Sequence, residues 1–222
     1  MKLFKTIHDK SNFIHHTAIV EEGVIMGKNN YIGPFCIIKK GVGMEDNNRF
    51  EAYCSIGTNP EYKGLFHNTE SKYSVDIGSN NVFREYVTIN SGSSRHTKIY
   101  NNNIMLRGSH LGHDCILNNE ITLSCNVLVG GHSEILDGVN MGLGSICHQF
   151  SILGGFSMIG MGGVVTKKSK ILPGQIYVGN PVKHLKENTI GLTRANGYNT
   201  VWGMDDLIEE YEETINIHKN LK

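Results

Sequence analysis

The sequence predicts an all-β fold, a parallel β-helix of hexapeptide repeats, with a short α-helical extension at its C-terminus. Three observations predict it: an aliphatic residue every sixth position, a glycine often just after it, and a small residue four places on. Every sixth position from the start of the pattern reads Ile14, Val20, Met26, Ile32, Ile38, Met44, Phe50 and Ile56, all apolar in a chain only 39% hydrophobic. The register returns at Ile77, Phe83 and Ile89. It then runs unbroken through Ile99, Met105, Leu111, Leu117, Leu123, Val129, Ile135, Met141, Cys147, Leu153, Ile159 and Val165. A period of six matches neither the 3.6 of a helix nor the alternation of an ordinary half-buried strand.

Glycine follows the aliphatic at positions 27, 33, 57, 78, 112, 130, 142, 154 and 160, and small residues such as Ala18, Cys36, Cys54, Ser109, Ser133 and Ser145 lie four places past it. A large side chain inside, a permissive backbone at the corner and a small filler make one short strand and one turn. No unit buries its aliphatic face alone, so stacking must stabilise the fold. The pattern resembles that of the hexapeptide-repeat families. The resemblance implies a left-handed helix with three units per triangular coil, so that residues 18 apart lie above one another at the sheet spacing of about 4.8 Å.

Two breaks in register predict loops at about 58–76 and 90–98. The first is read as one coil plus three residues, the second as one unit plus four. Excursions from a regular solenoid tend to carry function or build an interface. Past Val165 the helix closes, and the division expected is a β-helix over 1–180 and a helical extension over 181–222. Asn180 and Pro181 suit a helix start. A second helix is expected from Asp205 to about Lys219, with Leu207, Ile208, Tyr211 and Ile215 on one face, acids early and Lys219 and Lys222 at its end. Such a tail suits capping the open end of the solenoid.

The 21 basic residues equal the 21 acidic ones, so net charge makes no case for nucleic acid or an anionic membrane as partner. No apolar run approaches a membrane span and the first residues lack a signal-peptide core, from which a cytoplasmic location is expected. Cys36, Cys54, Cys115, Cys125 and Cys147 show no paired metal or redox spacing and are expected to be small buried thiols.

Eleven histidines are the candidates for chemistry. The densest group is Ser109-His-Leu-Gly-His-Asp-Cys115, followed by Gly130-Gly-His132 and Cys147-His-Gln-Phe150. At a spacing of 18, His113, Gly131 and Gln149 form one column. An imidazole can take a proton from a hydroxyl or amine near neutral pH, Asp114 can orient it, and the Gly131 N–H suits an oxyanion.

Over most of residues 8–196 the chain resembles the UDP-N-acetylglucosamine O-acyltransferases of lipid A biosynthesis. The resemblance is carried by His8-Asp-Lys-Ser11 with Thr17-Ala-Ile-Val-Glu-Glu-Gly23, by Ile32-Gly-Pro-Phe-Cys-Ile37, by His110-Leu-Gly-His-Asp-Cys115, and by His148-Gln-Phe150 with Ile152-Leu-Gly154. It implies His113 as general base, Asp114 as its partner and Gly131 as the oxyanion amide. By the same resemblance His110, His132, His148 and Gln149 hold the sugar nucleotide and acyl group, and Glu61 and Lys63 reach substrate from the first loop. Asn188 and Arg194 would contact the nucleotide.

It further implies a homotrimer, a nucleotide sugar as acceptor, and acyl carrier protein or a CoA thioester as co-substrate. No tightly bound cofactor and no metal are expected. The chain departs from those relatives in a coil missing between Ile38 and Phe50, a reduced C-terminal region and Asn90 in place of a histidine. Met161, at a position of glycine in relatives taking long acyl chains, implies a shorter acyl group. Val164-Val-Thr-Lys167 with Val178-Gly-Asn-Pro-Val-Lys183 resembles instead the acetyl-CoA-dependent sugar acetyltransferases. Lys167, Lys168, Lys170 and Lys183 suit either CoA phosphates or an acidic carrier protein. Acetylation of a surface-polysaccharide sugar nucleotide is therefore the second reading, and a zinc-binding or scaffold β-helix a remote third.

Overall fold

The computed structural model describes residues 7–8, 10–63, 71–197 and 203–220, so Lys222 of the expected second helix lies outside the described residues. Short strands, mostly of two residues, stack into three parallel sheets. The first and third faces hold eight strands each and the second holds ten. Leu111 pairs with Val129 and Val129 with Cys147, which is the 18-residue coil. Every aliphatic of the six-residue register from Met26 to Val165 is buried. Phe50 and Phe83, both fully buried, stack at 4.5 Å between ring centres in the core.

The corners refine the sequence reading. Except at Gly57, whose φ is 80°, the glycine after an inward aliphatic is not there for a left-handed backbone: a Cβ on Gly112 would lie 2.7 Å from the Gly131 nitrogen, and one on Gly130 would lie 2.6 Å from the Gln149 nitrogen. Close approach of stacked corners is the reason for glycine here. The left-handed bend comes two residues later and is mostly held by other residue types, among them Asn29, Asn47, Asn80, Asn102, Asp114, His132 and Phe150, with φ between 55° and 62°. A buried ladder of asparagines lies inside. Asn48 and Asn81 accept through Oδ1 from the backbone N–H of the next coil, Asn81 and Asn103 respectively.

The first excursion differs from the expected one coil plus three residues. Met44 pairs with Ile77 and Ile56 with Ile89, each 33 positions on rather than 18, so 15 residues are inserted into a single turn. The second inserts four, since Ile77 pairs with Ile99 22 positions on. No helix starts at Pro181. Strand Gln175–Val178 is followed by an antiparallel strand, Lys183–Glu187, which extends the second face. The helices are α1 (Thr189–Gly197) and α2 (Met204–Asn220). Rather than covering the open end, α2 lies along the flank. Leu207 packs with Phe156 and Ala195, and His218 hydrogen-bonds Glu134 at 2.7 Å. Four of the five cysteines are buried thiols, whereas Cys125 is half-buried.

Candidate active site

The corner where the third face turns into the first gathers the predicted column. Glu61, Asn90, His110, Gly112, His113, Leu128, Val129, Gly130, Gly131, Ile146, Cys147, His148 and Gln149 line a cleft of about 520 Å³. Six of the predicted site residues, Glu61, His110, His113, Gly131, His148 and Gln149, thus meet in one place.

His113 lies over Gly131 so closely that a Cβ there would be 2.8 Å from its Nε2 and Cε1. Its Nδ1 is 2.6 Å from Asp114 Oδ2. A carboxylate only accepts, so Nδ1 carries the proton and Nε2 keeps a lone pair beside the cleft. The Gly131 N–H donates to no acceptor among the described residues. Base and free amide are therefore neighbours.

Asp114 is fully buried. Burial alone would raise its pKa, but hydrogen bonds from His113 and Ser93 and from the backbone N–H groups of Ser94 and Arg95 outweigh it, holding the carboxyl well below the usual range. The second excursion supplies three of these four donors, so it is the loop that keeps Asp114 anionic. Sequence reading located the loop but could not see what it wraps.

His132 shares the column of Asp114 rather than that of the cleft. Its ring stacks on Phe150 at 4.5 Å and meets His113 edge-on at 5.0 Å, with Nε2 3.5 Å from Asp114 Oδ2. Burial pushes its pKa down, against the pull of Asp114. Burial likewise lowers His110, whose Nδ1 is 2.8 Å from Thr88 Oγ1. His148 donates through Nδ1 to the Gln149 carbonyl at 2.8 Å, leaving Nε2 as an acceptor.

The donor atoms of His113, Asp114 and His132 lie within 4.8 Å of one another, the one group among the described residues with metal-ligand spacing. The carboxylate oxygen they share already accepts from His113 and the Ser93 hydroxyl, a donor set that fits an oriented imidazole better than an ion.

Four predicted residues lie elsewhere. Lys63 is exposed on the first excursion, one residue beyond Tyr62, whose ring is 6.4 Å from that of His113. Asn188 caps α1, accepting from Gly191 N at 3.2 Å and donating to Phe156 O at 2.8 Å. Arg194 is exposed on α1, and Met161, 75% exposed, stands at the opposite edge of the third face. Sequence reasoning missed Ser93, Ser94 and Arg95. Their only signal was membership of the four-residue insertion.

Fold and site define a hexapeptide-repeat β-solenoid with an oriented imidazole and a free amide at one corner. Among known proteins, the chain resembles UDP-N-acetylglucosamine O-acyltransferases in both sequence and fold. It is 38% identical over 132 residues to the acyl-(acyl-carrier-protein)-UDP-N-acetylglucosamine O-acyltransferase of Sinorhizobium fredii, covering 58% of this chain and 48% of that protein. The same enzyme of Agrobacterium fabrum is 36% identical over 128 residues, 56% of this chain and 46% of that one.

The chain thus spans about half the length of the curated relatives it matches. The crystal structure of the Moraxella catarrhalis UDP-N-acetylglucosamine O-acyltransferase superposes with a TM-score of 0.62 at 26% identity, covering 97% of this chain and 91% of that one. The Francisella novicida enzyme gives 0.64 at 27%, covering 93% and 79%. No protein-family model matches.

Proposed function

We propose that the chain is an acyltransferase that moves an acyl group from a pantetheine thioester to a hydroxyl or amine of a nucleotide-linked sugar such as UDP-N-acetylglucosamine. The observation that carries this reading is the lone pair of His113 Nε2 beside the unengaged Gly131 N–H, in a cleft floored by Leu128, Val129 and Ile146.

His113 takes the proton of the acceptor as its oxygen or nitrogen attacks the thioester carbonyl. The oxyanion of the tetrahedral intermediate accepts from Gly131 N–H. Collapse breaks the carbon–sulfur bond, and the departing thiolate takes the proton back from His113. Asp114, held anionic, stabilises the imidazolium between the two transfers. Atoms and protons balance without a resident cofactor.

Glu61, Lys63, His110, His132, His148 and Gln149 are proposed to bind substrate. Asn188 and Arg194 are not among the residues lining the cleft, and they are proposed to contact the nucleotide. A homotrimer is supported by the apolar third face, where Ile19, Leu128 and Ile146 are 52%, 44% and 40% exposed. In such a trimer Met161 of a neighbouring copy would close the cleft and shorten the acyl group accepted. Among the described residues no helix is long and apolar enough to cross a membrane, in keeping with action in the cytoplasm.

A matrix of acyl carrier protein and CoA thioesters against UDP sugars tests the reading. The exposed lysines 167, 168, 170 and 183 favour no donor over the other, so acetyl-CoA-dependent sugar acetylation is separated from lipid A acylation by the same matrix. His113→Ala is expected to lower turnover by about 10²–10⁴-fold at an unchanged melting temperature; full activity in that variant would overturn the assignment.

A further inference from the structure

The second excursion makes contacts that acyl transfer alone does not call for. Backbone N–H groups of Ser93, Ser94 and Arg95 donate to Asp114 Oδ1 at 3.0, 2.8 and 2.7 Å. The Ser94 hydroxyl adds a bond to Oδ1 at 3.1 Å, and Arg95 Nε donates to the Asp114 carbonyl at 2.8 Å. Three consecutive N–H groups on one carboxylate form an anion nest. Gly92 makes the bend possible, because a Cβ there would lie 1.5 Å from the Arg95 oxygen. The first excursion braces it, Ser71 Oγ donating to the Gly92 carbonyl.

Ser93 differs from the rest of the nest. Its hydroxyl donates to Oδ2 at 2.6 Å, the oxygen that holds His113 Nδ1 at the same distance, and it lies 3.4 Å from Nδ1 itself. Whatever Ser93 takes from Oδ2 is withdrawn from His113. A residue needed only to bury Asp114 would be as useful on Oδ1, where three backbone donors already converge.

We infer that Ser93 is a positioning residue for His113. Its hydroxyl fixes Oδ2 against Nδ1 and limits the pull of the carboxylate on the imidazole proton, aiming Nε2 at the cleft. The kinetic consequence rests on the acyl-transfer reading, whereas the geometry does not.

The test compares Ser93→Ala with Ser93→Thr, which keeps the hydroxyl, in the full-length chain. The first readout is the Nδ1 proton resonance of His113 in nitrogen-15-labelled protein, which needs no substrate. In Ser93→Ala the resonance is expected to move downfield as Oδ2 loses its hydroxyl donor and is left to His113 and the Ser93 N–H at 3.0 Å, and in Ser93→Thr to return towards its original place. The second is turnover against pH. Ser93→Ala is expected to lose about tenfold in kcat, the scale of a hydrogen bond to a charged group, with KM unchanged. The acid limb of its profile is expected to move to higher pH, because the freed carboxylate charge favours the imidazolium.

An Nδ1 resonance and pH profile identical to the parent, even with a lowered melting temperature, would reduce Ser93 to a structural contact and overturn the inference. If the resonance moves while the parent protein transfers no acyl group to any acceptor, the positioning role stands and the functional reading falls.

Discussion

Replacing Gly131 with alanine puts one methyl group between the two halves of the proposed machinery. The new Cβ would lie 2.8 Å from His113 Nε2 and Cε1 and 3.1 Å from Cδ2, where ordinary contact begins at 3.4 Å. The ring must therefore withdraw by about 0.6 Å, the difference between those distances. It cannot do so freely, since Nδ1 is tied to Asp114 at 2.6 Å and Asp114 is fixed by the N–H groups of residues 93–95.

Gly131 has no left-handed φ, so alanine strains only the imidazole. Distortion of one side chain costs about 1 kcal/mol, or about 2–4 °C of melting temperature in a chain of this size. Misplacing a reacting group by something under 1 Å costs up to about a hundredfold in rate, and a loss of about 30–100-fold in kcat is expected. Steady-state kinetics with the best donor and acceptor, beside a thermal melt, measure both. If kcat stays within about twofold of the parent, His113 does not work from over Gly131 and the mechanism is wrong.

Asp114→Asn keeps the shape of the carboxylate but turns an N–H₂ towards the donors around it, leaving at least one buried donor unmatched at about 1–3 kcal/mol. Turnover is expected to fall by more than about a hundredfold through loss of the oriented, charge-stabilised imidazole, and denaturant unfolding should register the destabilisation; parental values of both would refute the nest. Glu210 on α2 offers a pH test. Its carboxyl is pushed up to about 7, first by burial and then by Asp137, Glu134 and Glu213, and its Oε2 has no partner. The folded state holds this proton more tightly than the unfolded chain, so stability falls as pH rises from about 4.5 to about 7 and stays reduced above that. With Glu210 only half-buried, solvent screening limits the effect to about 1–2 kcal/mol. Glu210→Gln should remove that slope and raise the urea midpoint at pH 8.5 relative to the parent, and an unchanged slope would show that α2 is not docked through this group.

Period and column were legible because both are arithmetic in the chain. An inward aliphatic every sixth residue placed Leu111, Val129 and Cys147 on one strand ladder, and the same count set Gly131 beside His113. The insertions were legible as interruptions only. From Ile56 to Ile77 a count of 21 reads equally as a coil plus three or a unit plus 15, and only strand pairing distinguishes them. The nest itself is built from the backbone N–H groups of Ser93, Ser94 and Arg95, which any residue carries, so side-chain chemistry could not reveal it. Asn188 entered through the family resemblance alone, and its capping of α1 was not legible because the same amide side chain serves a cap or a ligand contact. Pro181 misled for a similar reason, since its fixed φ suits a helix start and equally the link into the strand Lys183–Glu187.

The left-handed bend at each corner has a consequence for how such a site can arise. At the corner of His113 the bend is held by Gly23 and Gly41 in the early coils and by Asp114, His132 and Phe150 in the later ones, while at the next corner Asn29, Asn47, Asn80 and Asn102 give way to Glu120, Gly138 and Phe156. The chain turns through a left-handed bend whichever side chain occupies it, with φ of 92° and 83° at Gly23 and Gly41 and of 60–62° at Asp114, His132 and Phe150. An asparagine-like bend former and a reactive acid are therefore interchangeable here without redrawing the backbone, and a solenoid of this kind can acquire or lose chemistry at a corner one codon at a time.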